Sequence, residues 1–135
     1  MNPLNLPVEE FTTPNPVTAK ESSTVDEMAR LMKENGIRHL PIMRGPNVVG
    51  VVSERDLRLV MGLDFTEKNM VRASDIMATD PVTVSSEDTL DRVAFLMSEN
   101  KIGSVIVNEE DRLLGIFTVT DALNALIELA RTEDR

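Results

Sequence analysis

The chain has 135 residues, 41% of them hydrophobic, no cysteine, and a formal net charge of −9. That length fits one compact domain with a buried core, and the missing thiols exclude disulfides and thiol chemistry and fit a reducing cytoplasm. The acidic balance argues against nucleic acid as a primary partner, because affinity for phosphate backbones comes mainly from Lys and Arg.

Taken in order, Val8-Glu9-Glu10-Phe11 is a lead-in and Pro16-Val17-Thr18-Ala19 a short extended entry. Thr24 caps a helix whose Val25, Met28, Ala29 and Met32 fall at helical spacing, and Asn35-Gly36 stops it through a left-handed turn. Residues 39–43 and 48–52 are apolar runs of strand length, separated by the turn cluster Arg44-Gly45-Pro46-Asn47. A second helix follows Ser53, again a capping residue. Residues 62–72 form a polar connection, and 73–77 a short helical lead-in. The order then recurs, with strand at 82–84, helix at 89–99, strands at 104–107 and 113–117, and helix at 118–130.

The recurrence is literal. PNPVTAKESSTVDEMARLMKENGIRHLPIM, starting at Pro14, returns without a gap as TDPVTVSSEDTLDRVAFLMSENKIGSVIVN, starting at Thr79. The expected fold is therefore α/β: two pseudo-symmetric β-α-β-β-α repeats, 8–61 and 73–130, joined by a linker at 62–72 and packed sheet to sheet as one module. Neither copy would bury its apolar face alone, and the seam is the natural ligand site. Leu31, Phe95 and the ring of Leu123, Leu126, Ile127 and Leu129 lie outside a single helical stripe, which predicts helices buried on more than one side and a homodimer.

No apolar run reaches the roughly 18 to 20 residues of a membrane span, and the first residues lack the basic and apolar regions of a signal peptide. A cytoplasmic protein without membrane insertion is expected. Both ends read as natural, from the Pro-rich start at Met1 to the polar tail ending at Arg135, so any regulated partner is expected to be a separate polypeptide.

Catalytic signatures are missing. There is no phosphate-binding Gly-x-x-x-x-Gly-Lys-Ser/Thr loop and no Gly-x-Gly-x-x-Gly. His39 is the sole histidine, with no cysteine to build a zinc site or serve a triad. The adjacent pairs Glu9-Glu10 and Glu109-Glu110 fit solvated surface better than general acid-base work. The stronger signal lies at two matched strand-to-helix junctions. Gly50 and Gly115 allow close backbone approach, Ser53 and Thr118 open the helices where free amides favour an anion, and Asp56 and Asp121 follow three residues later, able to accept from a vicinal diol. A phosphate end beside a ribose end suits a nucleotide. The alternative is that these are plain capping boxes of the Ser/Thr-x-x-acid type.

Gly36-Ile37-Arg38-His39-Leu40-Pro41-Ile42, the two Pro-Val-Thr entries and the doubled Gly-hydrophobic-hydrophobic-Ser/Thr-x-x-Asp resemble a tandem pair of cystathionine-β-synthase-type (CBS) domains, the Bateman module, over nearly the whole chain. The resemblance implies clefts that bind AMP, ADP or ATP, with S-adenosylmethionine the lesser candidate, in a non-enzymatic module that needs no cofactor, dimerises and regulates a partner. By that resemblance Asp56 and Asp121 match ribose-binding aspartates, and Ser53, Thr118 and Thr120 match polar contacts of the same turns. Arg55 replaces the second hydroxyl in the first repeat. Arg38 and His39 match a phosphate-facing basic position, whose second-repeat counterparts are Gly103 and Ser104. Thr18, Thr83, Ile37, Ile102 and Pro41 match the adenine side. The competing expectation is a dimerisation or scaffold module whose clefts bind nothing.

Overall fold

The structure is a computed structural model that describes residues 3–133; Met1 and Arg135, at the ends named above, lie outside those residues. In chain order come a 3-10 turn (Val8–Phe11), β1 (Thr13–Pro14), β2 (Ala19–Lys20), α1 (Val25–Asn35), β3 (His39–Arg44), β4 (Asn47–Ser53), α2 (Glu54–Met61), α3 (Phe65–Asn69), α4 (Ala73–Ile76), β5 (Ala78–Thr79), β6 (Thr83–Ser85), α5 (Leu90–Asn100), β7 (Ser104–Glu109), β8 (Arg112–Thr118) and α6 (Val119–Glu133). Both β-α-β-β-α repeats are present. The first entry, expected over 16–19, forms strand only at Ala19–Lys20, as β2. Within the polar connection Asp64 accepts from the Glu67 amide and so caps α3, a helix with no apolar stripe to announce it.

The chain folds into two compact units whose borders cut across the sequence repeats: Pro16–Pro81 is one, and Met1–Asn15 with Val82–Arg135 is the other. Each is built on an antiparallel hairpin, β3-β4 or β7-β8, with a matching bulge between Ile42 and Met43 or between Val107 and Asn108. The sheets run β2-β3-β4-β5 and β1-β8-β7-β6.

Each sheet is thus completed by a strand from the other repeat's lead-in: β5 pairs with β4, and β1 with β8. The exchange is repeated bond for bond. The Ala73 and Ser74 amides donate to the Ser23 and Glu21 carbonyls, as the Val8 and Glu9 amides donate to those of Asp88 and Ser86. Val8 is fully buried among Val84, Val93 and Phe117, which is worth roughly 1.5 to 3 kcal/mol. Ala73 holds the same place beside Val25, Leu40 and Val52.

In α1 the Thr24 hydroxyl accepts from the Glu27 amide, Val25, Met28 and Met32 face the core, and Gly36 closes the helix at φ 62°. In α5 the buried positions are Leu90, Val93 and Met97, and Lys101 takes the left-handed turn at φ 53°. Among the described residues the wide apolar faces are covered only in part. Leu31 packs against its core, but Phe95 is 66% exposed and Leu126 60%, with Leu123 and Ile127 also exposed.

Candidate functional site

In the first unit the antiparallel register sets His39 opposite Ser53, at the end of the hairpin where α2 begins. The Glu54 amide donates to the Arg38 carbonyl at 2.7 Å, tying the start of β3 to the start of the helix. Ser53 and Asp56 close a reciprocal box: the Asp56 amide donates to the Ser53 hydroxyl at 3.2 Å, and the Ser53 amide to Asp56 Oδ2 at 2.9 Å. Oδ1 of Asp56 takes no hydrogen bond from any described residue. Both residues are half-buried, so the carboxylate is reachable from solvent.

Cations crowd this junction. Arg55 is exposed and without an ion pair among the described residues. Arg38 lies 3.6 Å from Glu54, which also accepts from Arg58 at 2.6 Å. Arg58 is the main cause holding the Glu54 carboxyl below its usual range. His39 is half-buried, and burial pushes its imidazole below its ordinary pKa; Asp56 opposes that shift and Arg38 adds to it. The imidazole is therefore neutral near pH 7, while a nearby phosphate would favour its charged form.

The remaining candidates of this repeat are less gathered. Thr18 is half-buried just before β2, and Pro41 is fully buried. Ile37 and Arg38 line a cavity of about 480 Å³ between α1 and α2, floored by Ala29, Met32, Leu57 and Met61. None of Ser53, Asp56, His39 or Arg55 borders it, and its rim cations are Lys33, Arg38 and Arg58.

At the second junction Ser104 stands opposite Thr118, and the Val119 amide donates to the Gly103 carbonyl at 3.1 Å. The Thr118 amide and hydroxyl both donate to Asp121 Oδ2, at 2.9 and 3.1 Å. Here the other oxygen is taken: the Thr13 hydroxyl donates to Asp121 Oδ1 at 3.4 Å. Thr120 is exposed, as is Thr83 on β6, and Ile102 packs against the core. No cation stands at the positions matching Arg38, His39, Arg55 and Arg58, which are Gly103, Ser104, Thr120 and Leu123.

Gly50 and Gly115 do provide close approach, but to the protein's own chain. A Cβ on Gly50 would strike the Met77 side chain, and one on Gly115 the backbone carbonyl of Thr13. Thr13 was missed because its role depends on the exchanged strand; the available signal was that its counterpart one repeat later is Ala78.

Among the described residues no three His, Cys, Asp or Glu side chains gather to hold a metal ion, and no helix is long and apolar enough to cross a membrane. The family model described as CBS domain matches residues 8–62 and 73–128. The chain belongs to the CBS domain family.

This CBS-domain chain superposes on AcuB from Vibrio cholerae with a TM-score of 0.84, at 30% identity and covering 97% of each chain. It superposes on the CBS-pair protein CBSX2 of Arabidopsis thaliana, solved in complex with AMP, with a TM-score of 0.78, at 29% identity and covering 93% of this chain and 98% of that one. It is 34% identical over 114 residues, 84% of its length, to inosine-5'-monophosphate dehydrogenase of Korarchaeum cryptofilum, but spans only 23% of that enzyme. Indeed it spans less than half the length of the first curated relatives it matches. CBS pairs thus include a member that binds an adenosine nucleotide, and CBS sequence also occurs within an enzyme's chain.

Proposed function

We propose that this CBS pair is a non-catalytic cytoplasmic module, requiring no cofactor, that binds an adenosine nucleotide at its strand-to-helix junctions and thereby regulates a separate partner protein. Its working halves are repeats 8–61 and 73–130, joined by 62–72. The observation that carries this reading is the β4-α2 junction. There a solvent-reachable aspartate with one unengaged oxygen stands beside His39, Arg38 and Arg55, a diol acceptor next to phosphate-seeking groups. The charge distribution agrees: residues 16–81 hold nine basic and ten acidic side chains, against five and thirteen in the rest of the sequence. A phosphorylated ligand is therefore better received in the first unit. AMP, ADP and ATP are the favoured ligands and S-adenosylmethionine the lesser one, with Thr18, Ile37 and Pro41 in the first repeat and Thr83 and Ile102 in the second assigned to the adenine side. Isothermal titration calorimetry with the four compounds tests the reading. Saturable heat that Asp56→Ala abolishes supports it; unchanged affinity in the Asp56→Ala, Asp121→Ala double variant sinks it.

The second reading is a ligand-free dimerisation scaffold. It is favoured by the exposed apolar residues of α6 and by the fact that both boxes already work as helix caps. No heat with any of the four compounds would establish it over the first. Both readings include a homodimer.

A further inference from the structure

The two junctions carry the same sequence pattern but differ in what the exchanged strand lays over them. At the second junction Thr13 lies opposite Ile116 with its carbonyl against Gly115, and its hydroxyl reaches Asp121 Oδ1; Thr118 holds Oδ2. Both carboxylate oxygens are thus engaged by the chain itself. At Gly50, β5 brings Ala78 to the corresponding place, opposite Val51 as Thr13 is opposite Ile116. A methyl group cannot donate, and Oδ1 of Asp56 is left without a hydrogen bond from any described residue. A ribose diol arriving at Asp121 finds Oδ1 already accepting from the Thr13 hydroxyl at 3.4 Å and must compete with that donor, whereas at Asp56 it meets an oxygen with no donor from the described residues.

We propose that the Thr13/Ala78 pair determines which junction is filled: Thr13 occupies the diol acceptor of the second junction, and Ala78 leaves that of the first open, so each chain takes one nucleoside. This rests on the adenosine reading above and adds to it the residue that selects the site. Charge alone would not select between the junctions for an uncharged nucleoside, so adenosine separates the two causes.

The test is calorimetric stoichiometry on the full chain, with adenosine as the uncharged probe and AMP in parallel. Wild type is expected to bind one adenosine per chain, lost in Asp56→Ala and retained in Asp121→Ala. Thr13→Ala is expected to bind two, the added one disappearing in Thr13→Ala, Asp121→Ala. Ala78→Thr is expected to weaken the first site at least fivefold. Thr13 is exposed and pairs through its backbone, and far-ultraviolet circular dichroism of each variant checks that the fold is kept. Two adenosines already bound by wild type, one of them lost in Asp121→Ala, would overturn the selection while leaving nucleotide binding intact. So would one adenosine bound by Thr13→Ala. No binding of adenosine or AMP by any variant would instead overturn the adenosine reading and the selection with it.

Discussion

The Thr13 carbonyl lies so close against Gly115 that a Cβ on Gly115 could not coexist with it, whereas the matching glycine, Gly50, meets mainly the flexible tip of Met77. The same substitution should therefore have unequal costs. Gly115→Ala must push β1 off β8 and is expected to cost about 2 to 3 kcal/mol, at the upper end of ordinary point mutations. Gly50→Ala, relieved by a shift of the methionine chain, is expected to cost about half as much. Urea denaturation of the two variants measures the difference. Gly115→Ala should also expose the Glu9 amide to hydrogen exchange, since Val8–Phe11 is held by the same lead-in.

Matched helix caps should be equally unequal. Thr24 accepts from the Glu27 amide at 3.1 Å, but Thr89 makes no capping hydrogen bond and serves the Asp91 carboxylate instead, holding its pKa low. Thr24→Ala is expected to cost about 1 kcal/mol and Thr89→Ala a few tenths. Amide exchange at the starts of α1 and α5 reads each cap separately.

His39 predicts a pH dependence whose sign follows from its environment. Burial lowers its folded pKa, so the unfolded chain takes up a proton more readily. Its contribution to stability is complete above the ordinary imidazole value and is lost as pH falls through that value toward the depressed one. Melting temperature should fall between about pH 7.5 and 5.5, and His39→Gln should remove part of that fall. Bound phosphate favours the imidazolium, so AMP affinity should strengthen over the same interval while adenosine affinity does not.

The exposed apolar row on α6 predicts self-association. The wild-type chain should sediment as a homodimer at micromolar concentration in analytical ultracentrifugation, and Leu126→Arg as a monomer without loss of helix content. A wild-type chain that sediments as a monomer at all concentrations would contradict the dimer.

Much of the fold could be read from local pattern. Thr24, Asn35-Gly36 and Ser53 mark helix ends through chemistry confined to a few residues, and the structure keeps each to that duty. Two-residue strands such as β1 and β5 have no periodicity to detect, because their place is set by a partner one repeat away. For the same reason Ser53, Asp56, Thr118 and Asp121 were legible as paired boxes and Thr13 was not. The exposed leucines of α6 were legible as apolar, but Leu123 and Leu126 are not buried by the described residues of a single chain.

The exchange of lead-ins separates the unit of inheritance from the unit of folding. A fragment ending at residue 62 would keep the pattern of one whole repeat yet lose α4 and β5, baring the outer edge of β4 and emptying the place of Ala73 in its core. Its own Val8–Phe11 segment and β1, with no second core and no β8 to join, would be left without a partner. Two such fragments could satisfy each other only by trading lead-ins, each placing its own in the position that α4 and β5 hold here.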